Sequence, residues 1–328
     1  MSLLSSGRAL FLAFVALTAA IALPALWFLL RPAAPTGFVE YPMPHDQDTP
    51  TAISAAPDGS VWFTIDSAAA IGRIKGGKLE RFPKEGNNLE PIGLAATADG
   101  GAWFADVRAH KLLHVTPDGK VTGVALDTPT VRIGRLAVAP DGAVWFAEGT
   151  MHSITKLQDG VLTRHSIEMV DGAPYGVAVG RDGTVWATLQ SGNRVLQITP
   201  DGDVRSIELP RRGVGPSDIA VGPDGTVWLI TFRGNSIGRL KDGKILETEL
   251  DGENAGLSGL AVSAEGDVWF GMIRRGSLGR LRNGELRTFP LPRERARPYS
   301  VTIDGDDNIW YADISGHVGM LAADVARR

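Results

Sequence analysis

The chain has 328 residues and no cysteine, and its 40 glycines and 20 prolines suit one turn-rich all-β domain better than two unrelated ones. The formal net charge is −4; without Arg8 and Arg31, the only charged residues among the first 35, 31 basic groups face 37 acidic ones, a balance that argues against a nucleic-acid surface. The lack of thiols excludes disulfides, thiolate metal sites and a lipid-modified cysteine anchor.

Residues 1–8 flank an uncharged run of 22 residues, 9–30, bounded by Arg8 and Arg31. At about 1.5 Å per residue such a run crosses a hydrocarbon core of about 30 Å, and it reads as a transmembrane signal anchor. Ala20-Ile21-Ala22 offers the rival reading, a cleaved signal peptide. Either way the expected location is extracytoplasmic (periplasmic in a bacterium), membrane-anchored or secreted, with residues 31–36 as a short linker.

From residue 37 to 322 the chain repeats. Aligning the units on one tryptophan gives Trp62, Trp103, Trp145, Trp186, Trp228, Trp269 and Trp310, spaced by 41, 42, 41, 42, 41 and 41 residues. A period near 40 with two Asp-Gly-type turns per unit, set between alternating apolar runs, is the signature of four-stranded propeller blades. The fold class is therefore all-β, a seven-bladed β-propeller. The opening stretch Phe38-Val39-Glu40-Tyr41-Pro42 matches the outermost strand of the sixth unit, so it is expected to complete blade 7 beside the C-terminal strands and close the ring. Residues 323–328 read as a tail.

Within a unit the innermost strand opens at Pro50, Pro91, Pro174, Pro216 or Pro298, with Ile133 and Leu257 as exceptions. The seven tryptophans are expected to wedge between neighbouring blades, where a flat ring buries the most area. A row of stacking platforms is the alternative.

These repeats, best seen in residues 174–186, in Gly234-Asn235-Ser236-Ile237-Gly238-Arg239-Leu240 and in Thr288-Phe289-Pro290-Leu291-Pro292, resemble the streptogramin B lyases, the virginiamycin B lyase family. The resemblance covers about residues 37–322. It implies opening of a cyclic depsipeptide by elimination, with magnesium and a histidine base on the top face of the ring. Carried over position by position, the family's Glu-Pro-His falls on Arg297-Pro298-Tyr299, its other histidine on Ser258, and its second metal-binding glutamate on Asp313 or Ile314. A phenol with an ordinary pKa near 10 stands where a base working near 7 is needed. Catalytic residues are therefore not assigned, and whether the chain is an enzyme stays open.

Register places further polar residues on that face. Arg132, Arg135, Tyr175, Asp218, Arg297 and Tyr299 are candidate ligand-binding residues, and Asp106, Glu148 and Asp313 candidate metal ligands, with magnesium as the divalent cation if an enzymatic reading holds. The competing expectation is mutual neutralisation of these charges around a water-filled channel. His110, His152 and His317 each stand seven residues after their tryptophan, where Asn193 and Asn235 stand in other units, and are expected in a left-handed turn. Arg211, Arg212, Arg233, Arg274 and Arg275 are expected at a solvated rim that could meet an acidic partner or headgroups. Two functions follow: a non-enzymatic exported propeller, expected to be monomeric, presenting its top face to a small molecule or protein, or a divergent metal-assisted lyase or hydrolase.

Overall fold

The computed structural model describes residues 37–66, 70–83, 91–127, 133–168 and 172–328. The hydrophobic run 9–30, the linker 31–36 and the candidate Arg132 lie outside them. The described chain forms seven four-stranded antiparallel sheets, six of which take four consecutive strands. The seventh takes its outer strand from the start of the domain: Phe38–Pro42 pairs with His317–Leu321 in the register Phe38 to Leu321 and Pro42 to His317. All seven sheets are complete within residues 38–321, so the ring needs no strand from elsewhere.

In blades 1 to 5 the hairpin between the first and second strands is set by an aspartate and a glycine. In blade 1 the Asp58 Oδ1 accepts the Ser60 amide at 3.0 Å while Gly59 takes a φ of 78°, a left-handed conformation that only glycine adopts without strain. The Asp182 and Asp224 carboxylates hold the Thr184 and Thr226 amides in the same way, at 3.0 and 2.9 Å.

The tryptophans do wedge between blades. Trp62 of blade 1 lies in one apolar cluster with Leu94, Phe104 and Leu113 of blade 2. Trp145 packs on Val177, Val185 and Leu196 of blade 4, and Trp310 of blade 7 on Ile53, Val61 and Phe63 of blade 1. The same holds at every seam, so the domain has seven inter-blade cores in place of one central core. The residue paired with each tryptophan on the third strand often covers its outer face: the Arg73 guanidinium stands 5.0 Å from the Trp62 ring and Arg239 5.3 Å from Trp228.

Blade 7 carries an additional polar tie. Glu40 on the N-terminal strand accepts from the Tyr311 hydroxyl at 2.9 Å and from Arg293 Nε at 3.0 Å, and Arg293 reaches on to Asp313 at 2.5 Å. Burial and the adjoining Glu40 carboxylate push the Tyr311 phenol well above its ordinary value. Within residues 323–328, Ala323–Ala326 is one helical turn, with Ala326 buried in the seam between blades 6 and 7. One sequence expectation needs correction here. His110 and His152 do occupy left-handed turns (φ 52° and 47°), but His317 lies in a strand, because blade 7 turns one residue earlier at Gly316, φ 92°.

Deletion of residues 37–44 removes the outer strand of blade 7 and leaves the His317–Leu321 edge unpaired. The expected result is a lower melting temperature and concentration-dependent association, read by calorimetry and size-exclusion chromatography. A truncated domain that stays monomeric and melts with the intact one would contradict this account of the closure.

Candidate functional site

The starts of the seven innermost strands crowd together at one end of the ring, and the chain relieves the crowding in the same way each time. Every first strand has a register shift there, between Pro50 and Ile53 in blade 1, Pro216 and Asp218 in blade 5, and Pro298 and Ser300 in blade 7. Such bulges turn side chains out of the sheet and toward the axis, the usual reason that bulges accumulate at the rims of barrels and beside binding sites.

Beside these bulges lies a pocket of about 440 Å³ lined by blades 3 to 7. It brings together Arg135, Tyr175, Asp218, Arg297 and Tyr299, five of the six candidate ligand-binding residues, the sixth being Arg132. Arg135 reaches across the axis from blade 3, pairing with the Asp218 carboxylate of blade 5 at 3.2 Å and donating to Ser300 Oγ of blade 7 at 3.2 Å. Its guanidinium stands 6.0 Å from the Tyr299 ring. The Tyr175 and Tyr299 hydroxyls meet at 3.4 Å. Four blades are thus joined by one polar cluster on the axis.

Burial sets the electrostatics of this cluster. It pushes the Asp218 carboxyl above its ordinary range, against the pull of Arg135. Burial acts downward on Arg135, but Asp218 and the two tyrosines outweigh it and hold the guanidinium firmly cationic. The Tyr175 phenol is pushed up by burial, with Arg135 opposing, and stays protonated.

The candidate metal ligands are not brought together. Among the described residues no three His, Asp or Glu side chains gather to hold a metal. Asp106, Glu148 and Asp313 end the second strands of their blades and turn beneath the surface loops, where each serves its own blade. The Asp106 carboxylate accepts the Ala109 amide at 3.1 Å. Glu148 takes Ser153 Oγ at 3.2 Å, Arg164 Nε at 3.0 Å and the Thr155 hydroxyl. Asp313 takes the Arg297 amide at 2.9 Å, Ser315 and Arg293. The expectation that these carboxylates converge on the funnel mouth is corrected: strand register located their height, but the end of a second strand points under the loops. The Arg297 side chain is exposed at the pocket rim. Sequence register did not single out Phe232 and Ile273, and Arg274 was expected only as a rim arginine; all three complete the pocket from loops whose lengths carried no functional signal.

Set against known proteins, the chain matches the model of the virginiamycin B lyase family over residues 31–135 and 124–326. It is 34% identical over 171 residues to a virginiamycin B lyase of Nocardia farcinica (strain IFM 10152), an alignment that covers 51% of this chain and 57% of that protein, just over half of each. A catalytically inactive virginiamycin B lyase from Staphylococcus aureus, solved with quinupristin, superimposes with a TM-score of 0.81 at 26% identity, covering 87% of this chain and 98% of that one. A streptogramin B lyase structure gives 0.82 at 25% identity, with 87% and 96% covered.

Arg135→Met would leave Asp218 without its counter-cation. The expected cost is about 3 kcal/mol at pH 8. The pH dependence follows from the raised carboxyl: the folded state holds this proton more tightly than the unfolded chain, so the contribution of Asp218 is fully present below its ordinary 3.8 and is lost as pH rises through the folded value. Removing Arg135 extends that loss to higher pH, and Arg135→Met with Asp218→Leu should recover most of the stability. Urea unfolding from pH 4 to 8 checks both; a pH-independent deficit in the single variant would contradict the pairing.

Proposed function

Because the chain belongs to the virginiamycin B lyase family, we propose that it is an exported propeller of that family which binds a small ligand in its upper pocket and does not carry out the ring-opening elimination. The observation that carries this reading is the identity and bonding of three positions. Tyr299 stands where the resemblance implies the base, and its hydroxyl faces another phenol, Tyr175, that burial keeps protonated. Ser258 stands where the other histidine is implied, and donates to the Pro298 carbonyl at 2.7 Å, stitching blade 6 to blade 7. Arg297 stands where a metal-binding glutamate is implied.

The residues present do not fit a magnesium ion. A hard divalent cation takes six or so oxygen ligands, carboxylates foremost. Here the position offers a guanidinium, a phenol and a serine; of the carboxylates nearby, Asp218 is paired with Arg135 and Asp313 is held by Arg293, Ser315 and the Arg297 amide. No catalytic step is therefore routed through a metal.

Binding remains well supported. The pocket is concave, it mixes apolar walls (Phe232, Leu257, Ile273, Ile314) with a few polar groups, and it opens beside a cluster fixed from four blades. The export half of the proposal rests on the uncharged run 9–30 between Arg8 and Arg31.

Two experiments test the proposal. Residues 37–328 incubated with a streptogramin B ester should give no ring-opened product by mass spectrometry, with or without magnesium; turnover that disappears in Tyr299→Phe would overturn the catalytic half. A reporter fused after Thr36 should be active only outside the cytoplasm, and activity inside would overturn the export half.

A further inference from the structure

The charges around the pocket do not balance, and the imbalance has one sign. Three guanidiniums line it, those of Arg135, Arg274 and Arg297, against one carboxylate, Asp218. Asp218 is already committed to Arg135 at 3.2 Å. Among the described residues no carboxylate lies within ion-pair distance of Arg274 or Arg297, and both side chains are exposed at the pocket rim. The surrounding loops extend the excess. Segments 209–215, 232–235, 250–256, 273–276 and 291–297 carry eight arginines and three acids. Two of the eight, Arg211 and Arg293, are held by carboxylates, Glu247 and Glu249 for the first and Glu40 and Asp313 for the second.

Arg274 is also held in place. Its amide donates to the Ala255 carbonyl at 2.9 Å, and its stem runs past Gly256, where an added Cβ would come within 3.1 Å of Arg274 Cγ. The guanidinium ends 5.8 Å from the centre of the Phe232 ring. Phe232 is a large apolar side chain left 36% exposed, and it lines the same pocket. A cation lying over an aromatic ring, a second cation on the neighbouring blade and two phenols at the floor suit a ligand with a flat apolar body and an anionic group.

We propose that this pocket selects organic anions, specifically carboxylates on an aromatic body, with Arg274 and Arg297 receiving the carboxylate and Phe232 and Tyr299 the ring. The proposal rests on the reading of the upper pocket as a ligand site and adds the chemical class of the ligand. A guanidinium fork matches a planar carboxylate, and the positive rim draws such anions in from solution.

The test compares 1-naphthoate with its neutral counterpart 1-naphthalenemethanol, titrated into residues 37–328 and followed by calorimetry and by protein NMR. Naphthoate should bind about tenfold more tightly than the alcohol, the worth of one charge-assisted hydrogen bond. The advantage should shrink between 20 and 300 mM salt. Arg297→Gln and Arg274→Gln should each remove most of the difference between the two ligands, and Arg297→Lys should restore part. Arg295→Gln, on the rim but outside the pocket, should have no effect on either ligand. Equal affinity for the two ligands would overturn charge selection while leaving the pocket reading standing. If neither ligand perturbs residues of the pocket, both readings fall.

Discussion

One flat ring per blade holds this domain together. A seven-membered ring of sheets has no central hydrophobic core, because its axis is lined by strand ends and polar groups. Cohesion must come from the seams, and each seam is filled by a tryptophan from one blade inserted into the apolar face of the next. The Trp62 indole also donates to the Gly100 carbonyl of the neighbouring blade at 2.9 Å, so the wedge has a direction as well as an area. Everything else in the repeat serves to deliver that ring to the same place: the Asp-Gly hairpin before it fixes its position along the strand, and the basic or aromatic residue opposite it covers the outer face.

With cohesion assigned to the seams, the residues at the mouth of the ring are released from structural duty in some blades and not in others. Small or bulge-forming residues such as Gly93 and Gly259 let neighbouring backbones approach; a Cβ at Gly259 would lie 2.6 Å from Ser300 Cα. Where a blade carries a side chain in that ring of positions, as at Arg135, Asp218 and Ser300, it reaches across the axis. The cluster they form borders the pocket. The carboxylates one layer higher serve a different purpose. Glu148 with Arg164 ties two strands of blade 3, and Asp313 with Arg293 ties the connection entering blade 7 to that blade, each pairing a buried carboxylate with a half-buried guanidinium.

The fold was legible because its signals are local and repeated seven times. Hairpin aspartates, glycines and the tryptophan spacing each report on a few residues, and repetition removes the ambiguity that one copy would leave. The site was legible only in part. Counting from each tryptophan correctly gathered Tyr175, Asp218, Arg135, Arg297 and Tyr299, because residues on equivalent strands must lie at equivalent heights. The same counting failed for Asp106, Glu148 and Asp313. Height along the axis is fixed by register, but whether a side chain faces the axis or the loops depends on the bulges and on arginines distant in sequence. Arg164 lies 16 residues from Glu148 and Arg293 20 from Asp313. Phe232 was missed, and Arg274 was placed only on the rim, for a related reason: they sit in connections whose path is set by packing and not by the repeat.

The proposed difference between this chain and a magnesium-dependent lyase lies in a few side chains on a shared frame. The most direct test is calorimetric titration of magnesium into residues 37–328 and into a variant carrying Arg297→Glu, Ser258→His and Tyr299→His. No binding by the native domain, with weak but saturable binding by the variant, is the predicted result. Saturable magnesium binding by the native domain would contradict the assignment of Asp313 to its ion pair, and with it the reading of the upper pocket as a site for ligand binding alone.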